Sequence, residues 1–216
     1  NVHLPGNYYT QDTTYPVVFV LDANLYGDIY NVIEDKYAEV GLLPNVILVN
    51  VGYKDFPAMD SLRNRDYTYP VAIPEYEMTV SGGADKFLSF FRDQLVNHID
   101  SNYRTDKHNR VLMGHSLGGY FALYSLYKGL EAQQSLFSGY IAASPSTHYN
   151  HYYIINALEK ISSRNKNLKA YISTGGLEDN PSDTSAMPAA RVFASLRSSL
   201  QQKSSIQLKM DTFSDL

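Results

Sequence analysis

One stretch in the middle of the chain restricts the fold more than any other: Arg110-Val111-Leu112-Met113-Gly114-His115-Ser116-Leu117-Gly118-Gly119-Tyr120. A short apolar run leads into a Gly-x-Ser-x-Gly motif, and the residues that follow are apolar around nearly the whole helix surface. This order predicts a strand, a sharp turn at Ser116 and a buried helix. The turn strains the serine backbone and needs small residues two positions before and after it, which Gly114 and Gly118 supply. The plainer alternative is an ordinary serine in a tight strand-to-helix turn.

Apolar segments and helical patterns alternate along the rest of the chain. The segments typical of strands are residues 17–21, 46–51, 139–143, 168–173 and 206–211. Helical spacing follows the first strand through Ile29, Val32, Ile33, Tyr37 and Val40, closed by Gly41, and it recurs over residues 84–103. A strand, a helix and a strand at this spacing predict a parallel sheet. We therefore expect an α/β fold in one domain over residues 1–216, with a mostly parallel central sheet flanked by helices on both faces in three layers.

The composition excludes several classes of protein. The formal net charge is −4 over 216 residues, so no basic surface for nucleic acid is expected. No apolar run approaches the length of a membrane span. The chain has no cysteine, which excludes disulfides and cysteine-ligated metals. A soluble protein is expected, and the compartment is left open between the cytoplasm and export.

Polar side chains follow several predicted strands at the point where each strand ends. The ligand site of an open α/β sheet lies at these carboxyl ends, which here carry Asp22-Ala23-Asn24, Tyr53, Ser116, Ser144 and Glu178-Asp179. A serine nucleophile needs a general base and a carboxylate that orients the base. In folds with this motif the chain order is serine, acid, histidine. Glu178 is therefore the candidate acid, with Asp179 as the near alternative; two solvated turn carboxylates are the plainer interpretation.

The histidines present do not fit the position expected for the base. They are His3, His98, His108, His115, His148 and His151, and all precede the last predicted strand. The base should follow that strand, so we expect a histidine just beyond Leu216, in an additional C-terminal region. The abrupt opening at Asn1 suggests a chain truncated at both ends.

A long segment without clear periodicity, from Gly52 to about Gly83, is a candidate substrate loop. Loops of this length in compact domains are usually functional or disordered. The candidate substrate-binding residues of this segment are Tyr53, Arg63, Arg65 and Tyr67. The alternative is a set of ion pairs with Asp60, Asp66 or Glu75 that only pins the loop.

Several motifs together resemble the esterase D and enterobactin-esterase-like family of α/β-hydrolases. They are Gly114-His115-Ser116-Leu117-Gly118-Gly119, Ala142-Ala143-Ser144-Pro145-Ser146, Gly175-Gly176-Leu177-Glu178-Asp179-Asn180, Gly82-Gly83-Ala84-Asp85-Lys86-Phe87-Leu88 and Arg63-Asn64-Arg65-Asp66-Tyr67-Thr68-Tyr69-Pro70, in which Tyr69 is an extra residue. The resemblance runs from Leu4 to the last strand and implies an α/β-hydrolase fold. It also implies ester hydrolysis by Ser116, with Glu178 at the acid position and a histidine a few residues after the last strand. The oxyanion hole would come from the backbone N–H of Leu117 and of Ala23 or Asn24.

The first hypothesis is thus a serine carboxylic-ester hydrolase that forms an acyl-enzyme on Ser116. Its partner would be a small-molecule ester, such as a siderophore lactone or an aryl ester, with no metal or other cofactor. A catalytically inactive hydrolase fold used as a binding module is one alternative. An acyltransferase of the same fold is another, and the sequence is compatible with a homodimer.

Overall fold

The structure is a computed structural model that describes residues 1–161, 167–177, 187–203 and 206–214. The strands are β1 (Val2–His3), β2 (Tyr15–Val20), β3 (Ile47–Asn50), β4 (Thr105–His115), β5 (Gly139–Ala143), β6 (Leu168–Gly175) and β7 (Ile206–Phe213). The α-helices are α1 (Ala23–Glu39), α2 (Phe56–Tyr67), α3 (Ala84–Phe90), α4 (Val96–Asn102), α5 (Leu117–Glu131), α6 (Tyr149–Lys160) and α7 (Ala189–Gln201). A 3₁₀ turn covers Pro74–Tyr76, and a π-helical turn, Phe91–Leu95, joins α3 to α4.

The strands form one sheet in the order β1-β3-β2-β4-β5-β6-β7. The edge strand β1 is antiparallel to β3, and every other neighbouring pair is parallel. The predicted mostly parallel sheet is confirmed. The apolar run of β3 is buried at every position because helices or loops cover both faces of a parallel sheet.

Helix α5 is the centre of the core, as its apolar surface predicts. Its residues from Leu117 to Leu126 are all buried, and the helix packs on β4 and β5. Several aromatic rings pack together at this helix. The ring centroid of Phe121 lies 5.2 Å from that of Phe87 and 5.8 Å from that of Tyr67. Burial of these large rings is a main source of stabilisation.

Helix α1 forms where the pattern predicts it, but its predicted apolar side does not face the sheet. Ile29 is 56% exposed and Val32 58% exposed, whereas Gly27 and Glu34 are the buried residues of the helix. Gly27 lets the helix lie against the side chain of Asn50, which would be 3.3 Å from an added Cβ. The polar contacts of this side therefore set the rotation of α1, against the expectation from its apolar residues.

The two faces of the sheet are covered by different helices. Side chains alternate along β4, so Leu112 is buried toward α5 while His115 points to the other face. There the Tyr26 hydroxyl of α1 lies 3.1 Å from His115 Nδ1. Helices on both faces confirm the predicted three-layer α/β arrangement.

The segment expected to be an aperiodic loop contains helix α2, so that expectation is wrong for residues 56–67. The Asp55 carboxylate accepts a hydrogen bond from the Ala58 N–H at 2.9 Å, and Pro57 lies in the first turn. Both are ordinary signals for the start of a helix. The prolines of the segment favour a loop when they are counted without regard to position. Proline is disfavoured only in the interior of a helix, however, and Pro57 lies in the first turn of α2, where it is tolerated.

Among the residues that the structure describes, no helix is both long enough and apolar enough to traverse a lipid bilayer.

Strand β4 and helix α5 approach so closely that no side chain fits between them. A Cβ added at Gly114 would lie 2.4 Å from the carbonyl carbon and oxygen of Gly118. Because the close atoms belong to the backbone, a side chain at position 114 could be accommodated only if the strand or the helix moved. Gly119 is similarly close to β5, because its added Cβ would lie 3.0 Å from the Ala143 carbonyl oxygen.

We predict that Gly114→Ala lowers the free energy of unfolding by about 3 kcal/mol or more, the upper range for overpacking a core. The matched control is Gly6→Ala, because no atom lies within 4 Å of an added Cβ there. The control should change stability by less than about 0.5 kcal/mol. Urea denaturation of both variants provides the measurement, and similar midpoints would contradict the prediction.

Candidate active site

Ser116 lies in the strained turn that the motif predicts. Its backbone has φ 56° and ψ −118°, a conformation that non-glycine residues rarely adopt. Three backbone hydrogen bonds hold it: its N–H donates to Ala143, and its carbonyl accepts from Tyr120 and Ser146. The surrounding structure therefore over-determines this conformation and projects the side chain at the carboxyl end of β4.

The Ser116 hydroxyl lies at the positive end of α5. The helix begins at Leu117, so the N–H groups of its first turn have no partner within the helix. The Ser116 Oγ lies 3.2 Å from the Oγ of Ser146, which follows β5. Sequence reasoning had not assigned Ser146 a role, although the Ser-Pro-Ser motif placed it after a strand.

A second turn, after β2, contributes another backbone N–H group. Asp22 adopts a left-handed conformation, with φ 52° and ψ 40°, directly before α1. The Ala23 N–H donates to Val51 at 3.1 Å and is therefore occupied. Within the described part of the chain, the Asn24 N–H makes no hydrogen bond. Of the two N–H groups predicted as oxyanion-hole donors in this turn, that of Ala23 is thus already hydrogen-bonded, and the role of either group stays a prediction.

The Asn24 side chain fixes the position of this turn. Its Oδ1 accepts from the Tyr53 N–H at 2.7 Å, and its Nδ2 donates to the Tyr53 carbonyl at 2.9 Å. Gly52 makes room for the amide, since an added Cβ would lie 2.6 Å from Oδ1. The two bonds tie the first turn of α1 to the segment after β3, which orients the Asn24 N–H.

A buried ion pair supports the same turn from α2. Arg63 donates from Nε to Asp22 Oδ1 at 3.0 Å and from Nη2 to Oδ2 at 2.8 Å. The Asp22 side chain is only 1% exposed and the Arg63 side chain 18%. Arg63 therefore forms an ion pair, which is the alternative role predicted for it. Its partner is Asp22 and none of the predicted partners Asp60, Asp66 and Glu75. Its guanidinium is occupied by Asp22, which argues against the substrate contact expected of it.

The other expected substrate-binding residues also make internal contacts. Arg65 Nε lies 2.7 Å from Asp66 Oδ1, the ion pair considered as its alternative role. Tyr67 has no exposed surface and packs in the core, so the described structure does not support its predicted substrate contact. The Tyr53 hydroxyl donates a hydrogen bond to Asp66 at 3.1 Å. Burial is the main cause that raises the pKa of Tyr53, and the nearby Tyr67 and Asp66 raise it further.

Arg65 and Tyr53 share a cavity of about 900 Å³ with residues of β3, α3 and α4. Its lining is mixed, with Phe87 and Ile99 among the apolar residues and Asp66 and Lys86 among the charged ones. No lining residue in the described part of the chain comes from the turn at Ser116. The side chains of Arg65 and Tyr53 contact Asp66, both residues line this cavity, and their role in substrate binding stays a prediction.

Neither the predicted acid nor the predicted base lies among the residues that the structure describes. Glu178 and Asp179 lie outside the described residues. Among the histidines, all of which the structure describes, none has a ring nitrogen hydrogen-bonded to Ser116 Oγ. His115 is directed to Tyr26 on the other face of the sheet, as its position next to Ser116 predicts. Desolvation lowers the pKa of His148, which keeps its imidazole neutral near pH 7.

With this fold and turn in place, comparison with known proteins identifies the family. A family model described as "Putative esterase" matches residues 1–213, so the chain belongs to this esterase family. The ferri-bacillibactin esterase BesA of Bacillus subtilis is 33% identical over 181 residues, which cover 77% of this chain and 61% of that protein. The apo-salmochelin esterase of Escherichia coli is 27% identical over 61% of this chain and 42% of its own length. The chain thus spans about half the length of these curated relatives.

The fold also occurs in solved structures. The BES protein from Bacillus cereus superimposes with a TM-score of 0.76 at 23% identity, over 98% of this chain and 79% of that one. At this identity the match supports the fold alone. The α/β-hydrolase fold implied by the sequence motifs is confirmed.

We predict that Arg63→Met destabilises the protein by about 3 kcal/mol, because the Asp22 carboxylate is left buried without its partner. Arg92→Met is a matched control: Arg92 makes the same two-bond contact with Asp93, at 2.9 and 3.2 Å, but both side chains are about 60% exposed. An exposed pair is worth at most about 1 kcal/mol. Chemical denaturation of both variants gives the two values, and equal losses would show that Asp22 is not effectively buried.

Proposed function

We propose that this protein is a serine carboxylic-ester hydrolase that forms an acyl-enzyme on Ser116. The observation that carries the proposal is the backbone of Ser116, held at positive φ between β4 and the first turn of α5. Strain of this kind is retained where function requires it. Membership of the esterase family supports the same reaction class.

In the proposed reaction, Ser116 Oγ attacks the ester carbonyl and its proton passes to a base. The carbonyl oxygen becomes an oxyanion in the tetrahedral intermediate, and backbone N–H groups stabilise it. We assign this role to the N–H groups of Leu117 and Asn24. The alcohol then leaves with a proton, and water hydrolyses the acyl-enzyme by the same steps. Each N–H group is worth roughly a hundredfold or more in turnover when it is correctly placed.

The proposed role of Arg63 and of the Asn24 side chain is to position the second oxyanion donor. The Asp22–Arg63 pair holds the left-handed residue directly before Ala23, and the Asn24 amide locks the first turn of α1 to Tyr53. Neither group needs to touch the substrate. A fixed donor costs no reorganisation when the negative charge develops, which is the main advantage of such sites.

The acid and the base of the proposed triad come from the sequence motifs. Glu178 follows β6, where the acid of this fold belongs. The base is expected to be a histidine a few residues after β7, as the family resemblance implies. The Ser116 Oγ–Ser146 Oγ contact would give way to a Ser116–histidine hydrogen bond in the competent enzyme.

The proposed substrates are siderophore esters, with lactones first and simple aryl esters second. Support comes from the relatives, which are described as esterases of ferri-bacillibactin and of apo-salmochelin. An assay on the full-length gene product, with a siderophore lactone and an aryl acetate side by side, tests this order.

We predict that Ser116→Ala lowers turnover on both esters by roughly a millionfold, the cost of removing the nucleophile from a triad enzyme. A fluorophosphonate probe should add its mass to the wild-type protein at Ser116 and leave the variant unlabelled. Ser146→Ala is the control, because its hydroxyl is only 3.2 Å from Ser116 Oγ and is the other candidate for labelling. Labelling that persists in Ser116→Ala and disappears in Ser146→Ala would move the nucleophile to Ser146.

We predict that Glu178→Gln lowers turnover by up to about ten-thousandfold, since the acid orients and stabilises the base. The adjacent Asp179→Asn serves as the matched control and should retain most of the activity. Steady-state rates of both variants, with thermal unfolding to confirm the fold, make the comparison. A larger loss in Asp179→Asn would shift the acid by one residue.

A further inference from the structure

A cluster of three metal-ligating side chains joins β1 to α1, away from Ser116. It consists of His3, Glu34 and Asp35, whose ligand atoms all lie within 4.8 Å of one another. His3 Nε2 is 3.5 Å from Glu34 Oε2 and 3.0 Å from Asp35 Oδ1. In the sheet order, β1 is separated from β4 by β3 and β2, so this cluster is remote from the serine turn.

Glu34 is the residue of the cluster that points to a ligand. Its side chain is only 2% exposed, yet its Oε2 atom has no hydrogen-bond partner. A buried carboxylate oxygen with no hydrogen bond, and only an ion-pair contact at 3.5 Å to His3 Nε2, calls for an explanation. The other oxygen, Oε1, accepts from the Val46 N–H at 3.2 Å, which fixes the carboxylate with Oε2 directed toward His3. Hydrogen bonds of this kind orient ligands in metal sites.

We propose that His3 Nε2, Glu34 Oε2 and Asp35 Oδ1 bind one divalent transition-metal ion of the zinc class. Bonds of 2.0–2.2 Å in tetrahedral geometry place two ligand atoms roughly 3.3 Å apart, close to the 3.0 and 3.5 Å separations observed. One imidazole with two carboxylates suits Zn²⁺ better than Mg²⁺ or Ca²⁺, which prefer oxygen ligands alone. Water would complete the fourth position.

The ion would have a structural role. His3 pairs with Leu48 in the short antiparallel strand β1, and the two carboxylates belong to α1. A metal ion therefore fastens the edge strand to the helix that covers it. It would also neutralise two carboxylates of which one is buried. Hydrolysis at Ser116 does not involve the site, so the tests of the two proposals are independent.

The test uses the protein after treatment with a chelator, titrated with Zn²⁺ alone. Calorimetry should show one Zn²⁺ per chain, and the thermal unfolding midpoint should rise with zinc concentration. Glu34→Gln should weaken zinc binding at least about tenfold and abolish the rise. His108→Gln, an exposed histidine close to Asp106 in sequence, should behave as wild type.

If the carboxylates only form an ion pair with a protonated His3, Zn²⁺ will bind weakly or not at all and the unfolding midpoint will not change. Equal zinc affinity in wild type and Glu34→Gln would likewise refute the site. Asp35→Asn is a second variant in case Glu34→Gln does not fold, because the Asp35 side chain is 46% exposed. It should also bind zinc at least about tenfold more weakly.

Discussion

The close approach of β4 to α5 is the constraint on which the rest of this structure depends. Gly114 and Gly118 meet without a side chain between them, and the strand can turn into the helix within a single strained residue. The turn after β2 also lies close to α5. A Cβ added at Gly118 would lie 3.2 Å from Oδ2 of Asp22, which follows β2. The carboxyl ends of two strands and the first turn of α5 therefore converge, and the functional groups we propose lie at that convergence.

A polar network preserves this geometry, although much of it is buried. Two bonds from Arg63 satisfy the Asp22 carboxylate, and two bonds from the Asn24 amide occupy the backbone of Tyr53. Removing one member would leave a buried charge or amide without a partner, so the arrangement is effectively all-or-none. This explains how a left-handed, non-glycine residue is maintained at Asp22. The strain costs on the order of 1–3 kcal/mol and is offset by these bonds.

The two sides of the sheet use different physical means to hold their helices. Helix α5 is held by burial of large apolar and aromatic side chains, such as Tyr120 and Phe121. Helix α1 instead places Gly27 and Glu34 against the sheet and leaves Ile29 and Val32 exposed. The proposed metal site follows from this second arrangement, since a buried carboxylate of α1 lies beside a histidine of the edge strand.

The sequence by itself determined the sheet, the position of α5 and the turn at Ser116. Apolar runs, helical periodicity and the spacing of glycines are local signals that need no knowledge of distant residues. The sequence also contained the start signals of α2, Asp55 and Pro57, but its prolines favoured a loop. Only the tertiary structure decided the partner of Arg63, the burial of Tyr67, the rotation of α1 and the hydrogen bond that occupies the Ala23 N–H. Each of these depends on contacts between residues far apart in the chain, such as Asp22 with Arg63 and Asn24 with Tyr53, whose energies no local pattern encodes.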